Sequence, residues 1–208
     1  MPPATTTSAA PLRRSVASGD PRRVARTTGA AILLMAPFGM FGNVVTLGLG
    51  TEVAGMTDRV LEGALPVALA VIAFGIVVVL DIIAAWGITQ FFADRPLARL
   101  AGWMRVAYSA VLAVAAAQLA TALSLARAGA DDASVASGAT AFSATWQLGL
   151  FVFGGHLILL GALVIRTRTT PTLIGCIVAL AGASYAFDSA ARLLLPSDSP
   201  PSRSRWCS

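Results

Sequence analysis

The sequence contains little charge for its length. Charged residues make up 12% of the 208 residues, which is about half the fraction found in soluble domains. Hydrophobic residues make up 56%, and the mean hydropathy is +0.76. So few charges cannot cover the surface of a water-soluble domain of this size, and we therefore expect lipid to solvate much of the chain.

Residues that carry familiar chemistry are also scarce. Lysine is absent and histidine occurs once. The two cysteines, Cys176 near the inner end of the last span and Cys207 in the outer tail, are separated by that span, so no disulfide is expected. Two cysteines and one histidine cannot make a closed zinc site. The sequence lacks the motifs G-x-x-x-x-G-K-[ST], H-E-x-x-H, G-x-S-x-G and C-x-x-C. We predict no cofactor and no metal, and the sequence favours a protein that is not an enzyme.

All fifteen basic residues are arginines, and the formal net charge is +5. They are not gathered on one recognition helix, so no nucleic-acid partner is predicted. Five of them precede the first apolar run: Arg13, Arg14, Arg22, Arg23 and Arg26. Arginines outside the apolar runs are more frequent in the segments that lie inside when the N-terminus is inside. This bias favours an inside N-terminus and an outside C-terminus. The alternative, a cleaved signal peptide, fits poorly because the first run is too long.

Five apolar runs are each long enough to cross a hydrocarbon layer of about 30 Å. They cover about residues 28–50, 65–92, 100–126, 144–165 and 172–195. The Pro- and Ser-rich ends, 1–27 and 196–208, are predicted to be disordered. The loop 51–64 predicts a short helix with Thr57 as a possible N-cap, and the loop 127–143 is predicted to be flexible. The fold prediction is an all-α, five-span bundle in a bacterial plasma membrane.

Small residues recur at helical spacing on two of the predicted spans, and such ridges let helices approach closely in lipid. They are Gly42, Thr46 and Gly50 on the first span, and Gly175, Ala179, Gly182, Ala183, Ala186 and Ala190 on the fifth. Packing within the chain is the favoured interpretation. A homo-oligomer through these faces is the alternative, and the lipid bilayer is the predicted partner in either case.

Two ionisable residues are predicted near the middle of the bilayer. Asp81 lies about 16 Å from the inner end of the second span, and His156 is at a similar depth in the fourth. Charge at this depth is costly unless it is paired, neutralised or hydrated. A carboxylate–imidazole pair that relays a proton is one hypothesis. Structural hydrogen bonding is the other.

Further polar residues complete the candidate core. Arg105 lies about one turn inside the third span, where it can snorkel to headgroups or turn toward Asp81. A depth difference of about 9 Å leaves direct pairing with Asp81 open. Tyr108 follows one turn later. Near the far end of the last span stand Tyr185, Asp188 and Arg192. The last two form an i,i+4 pair that either stands alone at the interface or borders a vestibule.

These polar positions lie in stretches that resemble a bacterial multi-pass membrane family, domain-of-unknown-function family 4386. The stretches are V-V-V-L-D-I-I-A-A-W around Asp81, W-M-R-V-A-Y-S-A-V around Arg105, F-V-F-G-G-H-L-I-L-L-G-A-L-V around His156 and P-T-L-I-G-C-I-V-A-L-A-G-A-S-Y-A-F-D-S over 171–189. The resemblance covers about residues 70–195. It implies a helical inner-membrane bundle without an assigned activity, so it assigns no catalytic residue.

Three functions remain open on the sequence. The first is small-solute or proton-linked transport that uses Asp81 and His156 in a polar core. The second is a membrane scaffold or partner subunit without chemistry, and the third is an intramembrane enzyme that modifies lipid. A water-accessible path to Asp81 or His156 would favour the first, a dry core the second, and a cleft open to one leaflet the third.

Overall fold

The structure of the chain is a computed structural model that describes residues 20–93, 95–168 and 170–195. Within these residues the secondary structure is helical, without strands. The helices are α1 (Pro21–Leu49), α2 (Met56–Glu62), α3 (Ala64–Phe91), α4 (Pro96–Arg127), α5 (Asp132–Thr167) and α6 (Thr172–Leu194). All except α2 are long and apolar enough to cross a membrane. The predicted all-α fold with five membrane spans is confirmed, whereas the orientation of the termini stays a prediction.

Three helices begin earlier than the apolar runs indicate. Helix α1 begins at Pro21, where the Asp20 carboxylate accepts a hydrogen bond from the backbone N–H of Arg22 at 3.1 Å. The expected disordered tail 1–27 is therefore helical from residue 21, and residues 1–19 and 196–208 lie outside the described residues. Helix α4 begins at Pro96 rather than near residue 100. Proline suits the first helical position because its missing N–H would have no partner there.

The largest boundary correction concerns α5. The segment 127–143, expected to be a flexible loop, is helical from Asp132 onward. The Asp131 carboxylate caps this helix by accepting a hydrogen bond from the Ser134 N–H at 2.7 Å. Hydrogen bonding by Ser134 also lowers the pKa of Asp131. At about 1.5 Å per residue, the 36 residues of α5 exceed the hydrocarbon thickness, so part of the helix extends beyond it.

The five long helices pack in chain order. Helix α3 packs between α1 and α4, and α5 packs between α4 and α6. Helices α1 and α6 are therefore the two edges of the bundle and expose long rows of apolar side chains. Those rows suit contact with acyl chains, since lipid solvates them without the cost that water would impose.

Helix α2 closes one end of the bundle, here called the α2 end. Its Met56 and Val60 side chains are buried in the core. Gly55 precedes it with a positive φ of 69°, and Thr57, predicted as the cap, lies inside the helix. The Asp132 carboxylate accepts hydrogen bonds from the N–H groups of Gly55 at 2.7 Å and Thr57 at 2.9 Å. This carboxylate ties the loop before α2 to the start of α5.

An aromatic cluster lies between α2 and the centre of the bundle. The Phe74 ring of α3 lies 5.8 Å from that of Phe142 and 5.5 Å from that of Trp146, both on α5, measured between centroids. Gly42 of α1 makes room for Phe74, because a Cβ there would lie 2.6 Å from the ring. This cluster and α2 fill the bundle from the α2 end.

Glycines bring α5 and α6 into backbone contact. A Cβ on Gly154 would lie 2.6 Å from the Gly182 carbonyl oxygen, and one on Gly161 would lie 2.6 Å from the Gly175 carbonyl oxygen. The glycines are seven residues apart on each helix, so the two antiparallel helices meet at two matched positions. The small-residue face of the last span thus packs within the chain, and association between chains stays a prediction.

We predict that Gly154→Ala destabilises the protein by about 1–3 kcal/mol, because the added methyl must push α6 away. The free energy of unfolding in mixed detergent micelles measures the effect. Gly75→Ala is the matched control, since no atom lies within 4 Å of a Cβ on that exposed helical glycine. Its stability should stay unchanged or rise by about 0.5–1 kcal/mol. Equal losses for both variants would contradict close α5–α6 packing.

Candidate functional site

Three ionisable side chains meet in the interior of the bundle. Asp81 comes from α3, Arg105 from α4 and His156 from α5, and they are 1%, 4% and 0% exposed. Arg105 lies nine residues from the start of α4, and Asp81 ten residues from the end of α3. At about 1.5 Å per residue both are some 14–15 Å from the helix ends opposite α2. We call these three residues the triad.

Arg105 is the central member of the triad. Its Nη2 atom lies 2.6 Å from Asp81 Oδ1, an ion pair between buried groups. Its Nη1 atom lies 3.1 Å from His156 Nε2. The Ser109 hydroxyl, one turn later on α4, donates a hydrogen bond to the Arg105 carbonyl oxygen at 3.0 Å. The guanidinium therefore connects α3, α4 and α5.

The contacts of His156 define its tautomer. A guanidinium has only donors, so Nε2 of His156 must accept the hydrogen bond from Arg105. The ring proton then resides on Nδ1, which donates to the Ala101 carbonyl oxygen at 2.8 Å. Because both nitrogens of a protonated imidazole are donors, this arrangement requires a neutral ring. The triad then carries one negative and one positive charge.

Two further residues, both apolar, contact the guanidinium. The Met35 sulfur of α1 lies 3.1 Å from Nη2 and is a weak acceptor. The Phe153 ring of α5 lies 5.8 Å from the Arg105 Cζ atom, within the range of a cation–π contact. The sequence analysis predicted neither of these contacts. The signal for Phe153 was its position three residues before His156, which places both on one helix face.

The triad is not fully hydrogen-bonded. Asp81 Oδ2 and Arg105 Nε are buried and have no hydrogen-bond partner in the part of the chain that the structure describes. The Asp81–Arg105 contact is short, but its angle is not that of a hydrogen bond. A buried carboxylate oxygen without a partner is costly, and this one is open to a proton or a water molecule.

The other predicted polar residues occupy different environments. Tyr108 is buried, and its ring lies 4.8 Å from that of Phe153. Tyr185 of α6 is 44% exposed, and its ring also contacts Phe153, at 5.9 Å. Both tyrosines border the triad through this phenylalanine.

Asp188 and Arg192 lie apart from the triad. The Arg192 Nε atom donates to Asp188 Oδ2 at 2.9 Å, and both side chains are more than half exposed. An exposed i,i+4 pair of this kind stabilises a protein little. This geometry agrees with the interpretation of an isolated pair rather than the rim of a vestibule.

The structure differs from the hypothesis of a direct carboxylate–imidazole pair in the core. Asp81 and His156 do not pair directly, because Arg105 lies between them. Arg105 turns inward rather than toward the headgroups. The expected depth difference of about 9 Å assumed that α4 begins near residue 100. The earlier start at Pro96 reduces the difference to about 2 Å.

Two pockets open at the end of the bundle opposite α2. The first has a volume of about 490 Å³ and is lined by Asp20, Arg23, Val24, Thr27 and Trp86. The second has about 410 Å³ and lies between α4 and α5. Neither pocket is lined by a residue of the triad, and no group of three metal-ligating side chains occurs among the described residues.

Comparison with known proteins yields a family and no characterised relative. A family model described as "Domain of unknown function (DUF4386)" matches residues 27–203, most of the chain. No curated protein and no solved structure matches it. The match includes α1 from residue 27 onward, the other four long helices in full and every residue of the triad.

We predict that Arg105→Gln lowers the free energy of unfolding by about 3–5 kcal/mol, because it leaves Asp81 buried and unpaired. Removing both charges, in Asp81→Asn/Arg105→Gln, should cost less than the sum of the two single variants. Arg192→Gln is the control, since it breaks an exposed ion pair worth about 0–1 kcal/mol. Unfolding in mixed micelles measures all four variants. Similar losses for Arg105→Gln and Arg192→Gln would contradict a buried ion pair.

Proposed function

This chain belongs to the family Domain of unknown function (DUF4386), and we propose that it carries out proton-linked transport across a bacterial plasma membrane, with protons themselves moving through the polar core of the bundle. The observation that carries the proposal is the buried, incompletely bonded Asp81 carboxylate beside Arg105. Ionisable residues within membrane spans are costly, and in transporters they form proton relays. The family description supplies no activity, so the triad alone supports this function.

Asp81 is the proton-binding group in this proposal. Its Oδ1 atom contacts Arg105, whereas its Oδ2 atom has no hydrogen-bond partner among the described residues. A proton taken up on Oδ2 converts the carboxylate to a neutral acid and removes the attraction that holds Arg105. The proton leaves to water on the opposite side of the membrane when the ion pair forms again, so each cycle moves one proton across.

His156 controls which group takes the proton first. A second proton on its ring would make Nε2 a donor, and Nε2 faces the donor Nη1 of Arg105 at 3.1 Å. Protonation of His156 therefore requires Arg105 to leave, whereas protonation of Asp81 does not require His156 to move. The triad thus favours proton uptake on Asp81 followed by displacement of Arg105.

Displacement of Arg105 would break contacts with three other helices of the bundle. The guanidinium contacts α3 through Asp81, α5 through His156 and α1 through Met35. Loss of its ion pair loosens α3 from α4, which is the kind of two-state change that alternating access requires. The closed triad then corresponds to an occluded state, with water admitted only in the displaced state.

A scaffold role is the second candidate, and a specific observation favours it. The triad is almost completely shielded from solvent, and neither pocket at the end of the bundle opposite α2 is lined by one of its residues. In this role Arg105 only holds the helices together. A scaffold could also self-associate through its exposed helix faces. The lipid-modifying enzyme has less support, because neither of these two pockets is lined by a residue of the triad.

Proton movement in proteoliposomes tests the proposal. Vesicles that contain the purified chain and a trapped pH-sensitive dye receive an inward proton gradient, with valinomycin and potassium to dissipate the membrane potential. Wild-type protein should acidify the lumen faster than empty vesicles do. Asp81→Asn/Arg105→Gln should reduce the rate to that of empty vesicles, because it removes the proton-binding carboxylate together with its partner and leaves no buried charge unpaired.

Asp188→Asn is the matched control, since it removes an exposed carboxylate from an ion pair on α6. Its rate should equal that of the wild type. Retention of proton movement by Asp81→Asn/Arg105→Gln, or a wild-type rate equal to that of empty vesicles, would overturn the transport proposal. In the second case, variants of the triad that alter only the free energy of unfolding would favour the scaffold.

A further inference from the structure

The pocket between α4 and α5 combines two cations with an apolar floor. It has a volume of about 410 Å³, and its lining contains Arg95 and Arg166 together with Leu97, Leu100 and Leu163. Arg95 directly precedes α4, and Arg166 lies in the last turn of α5, so two helices supply the two cations. We call it the α4–α5 pocket.

Nothing within the described residues neutralises these arginines. The ion pairs there are Asp81–Arg105 and Asp188–Arg192, and no side-chain hydrogen bond of Arg95 or Arg166 is found. Among the residues that the structure describes, none of those lining the α4–α5 pocket is acidic. The other pocket at this end differs, because Asp20 lines it together with Arg23. The α4–α5 pocket is thus the more positive of the two.

The start of α4 adds to the positive potential. No side chain caps this helix, and its first turn contains no acidic residue. The backbone N–H groups of a helix N-terminus favour an anion, here beside two arginines whose planar groups suit phosphate oxygens. The preference of the α4–α5 pocket is therefore for an anion.

The apolar part of the pocket indicates what kind of anion it binds. Leu163 is 1% exposed and forms part of the floor, whereas Leu100 is 51% exposed on the side of α4. Cations at a helix end next to exposed leucines match an amphiphile, with a charged head at the membrane surface and an acyl chain alongside the helices. A free phosphate ion would use only the cationic part.

We propose that the α4–α5 pocket binds the phosphate group of one anionic phospholipid, with Arg95 and Arg166 on the phosphate and Leu100 beside the acyl chain. The proposal is independent of transport. It requires the end of the bundle opposite α2 to face a leaflet that contains anionic lipid. The arginine distribution predicts that the N-terminus, and with it the end opposite α2, faces the inside of the cell, which meets this condition.

Native mass spectrometry of the full chain in neutral detergent tests the proposal, with phosphatidylglycerol and phosphatidylcholine as probes. The wild type should bind one phosphatidylglycerol in preference to phosphatidylcholine. Each arginine near a membrane surface contributes about fivefold in affinity, so Arg95→Gln/Arg166→Gln should weaken this binding about thirtyfold. Both residues are exposed, so the variant should fold. An unfolding midpoint equal to that of the wild type checks this.

Arg26→Gln/Arg99→Gln is the matched control. It removes the same net charge from exposed positions at the same end that do not line the α4–α5 pocket. Its affinity for phosphatidylglycerol should stay within about twofold of the wild type, because bulk attraction is screened. Equal weakening by both double variants, or no preference over phosphatidylcholine, would overturn the proposal. Displacement of the lipid by millimolar inorganic phosphate would assign the pocket to a free anion and also overturn it.

Discussion

The cost of a buried guanidinium determines the arrangement of the bundle. Arginine stays charged in proteins, so Arg105, at 4% exposure, has to find acceptors within the protein. The acceptors come from three other helices: the Asp81 carboxylate, the His156 ring nitrogen and the Met35 sulfur. The apolar faces of these helices are interchangeable in lipid, whereas the acceptors are not. Arg105 therefore specifies which faces of α1, α3 and α5 turn inward.

Packing between α5 and α6 follows a different physical rule. No charged contact joins α6 to the triad, and its Asp188–Arg192 pair is exposed. The helix is instead joined to α5 through backbone contact at Gly154–Gly182 and Gly161–Gly175. In lipid, close approach of this kind gains van der Waals contact that larger side chains would prevent. The bundle thus combines one polar centre with one close-packed edge, and the two meet at the Phe153 ring, which contacts both Arg105 and Tyr185.

The sequence predicted the spans well and their ends poorly. Apolar runs indicate which residues lie in the hydrocarbon, but a helix can extend beyond the apolar run to a capping residue. Asp20 caps α1 and Asp131 caps α5 in this way. The same limit affected the core. Asp81, Arg105 and His156 stood out because charge is rare in such segments, yet the pairing depended on depth. The charges of Arg95 and Arg99 interrupt the apolar pattern, so α4 was predicted to begin about one turn after its true start at Pro96. That error placed Arg105 at a different depth from Asp81, with which it forms an ion pair.

The bonding of the triad bears on whether it is only a lock. A purely structural ion pair gains most when both carboxylate oxygens are bonded, since unsatisfied buried atoms offset the Coulomb attraction. Here Asp81 Oδ2 and Arg105 Nε have no partners among the described residues, whereas His156 has both ring nitrogens bonded. The cost of unbonded buried atoms therefore lies in the ion pair and not in the imidazole. Of the two titratable partners of Arg105, Asp81 is the one with an unbonded atom, and the proposed proton uptake depends on this asymmetry.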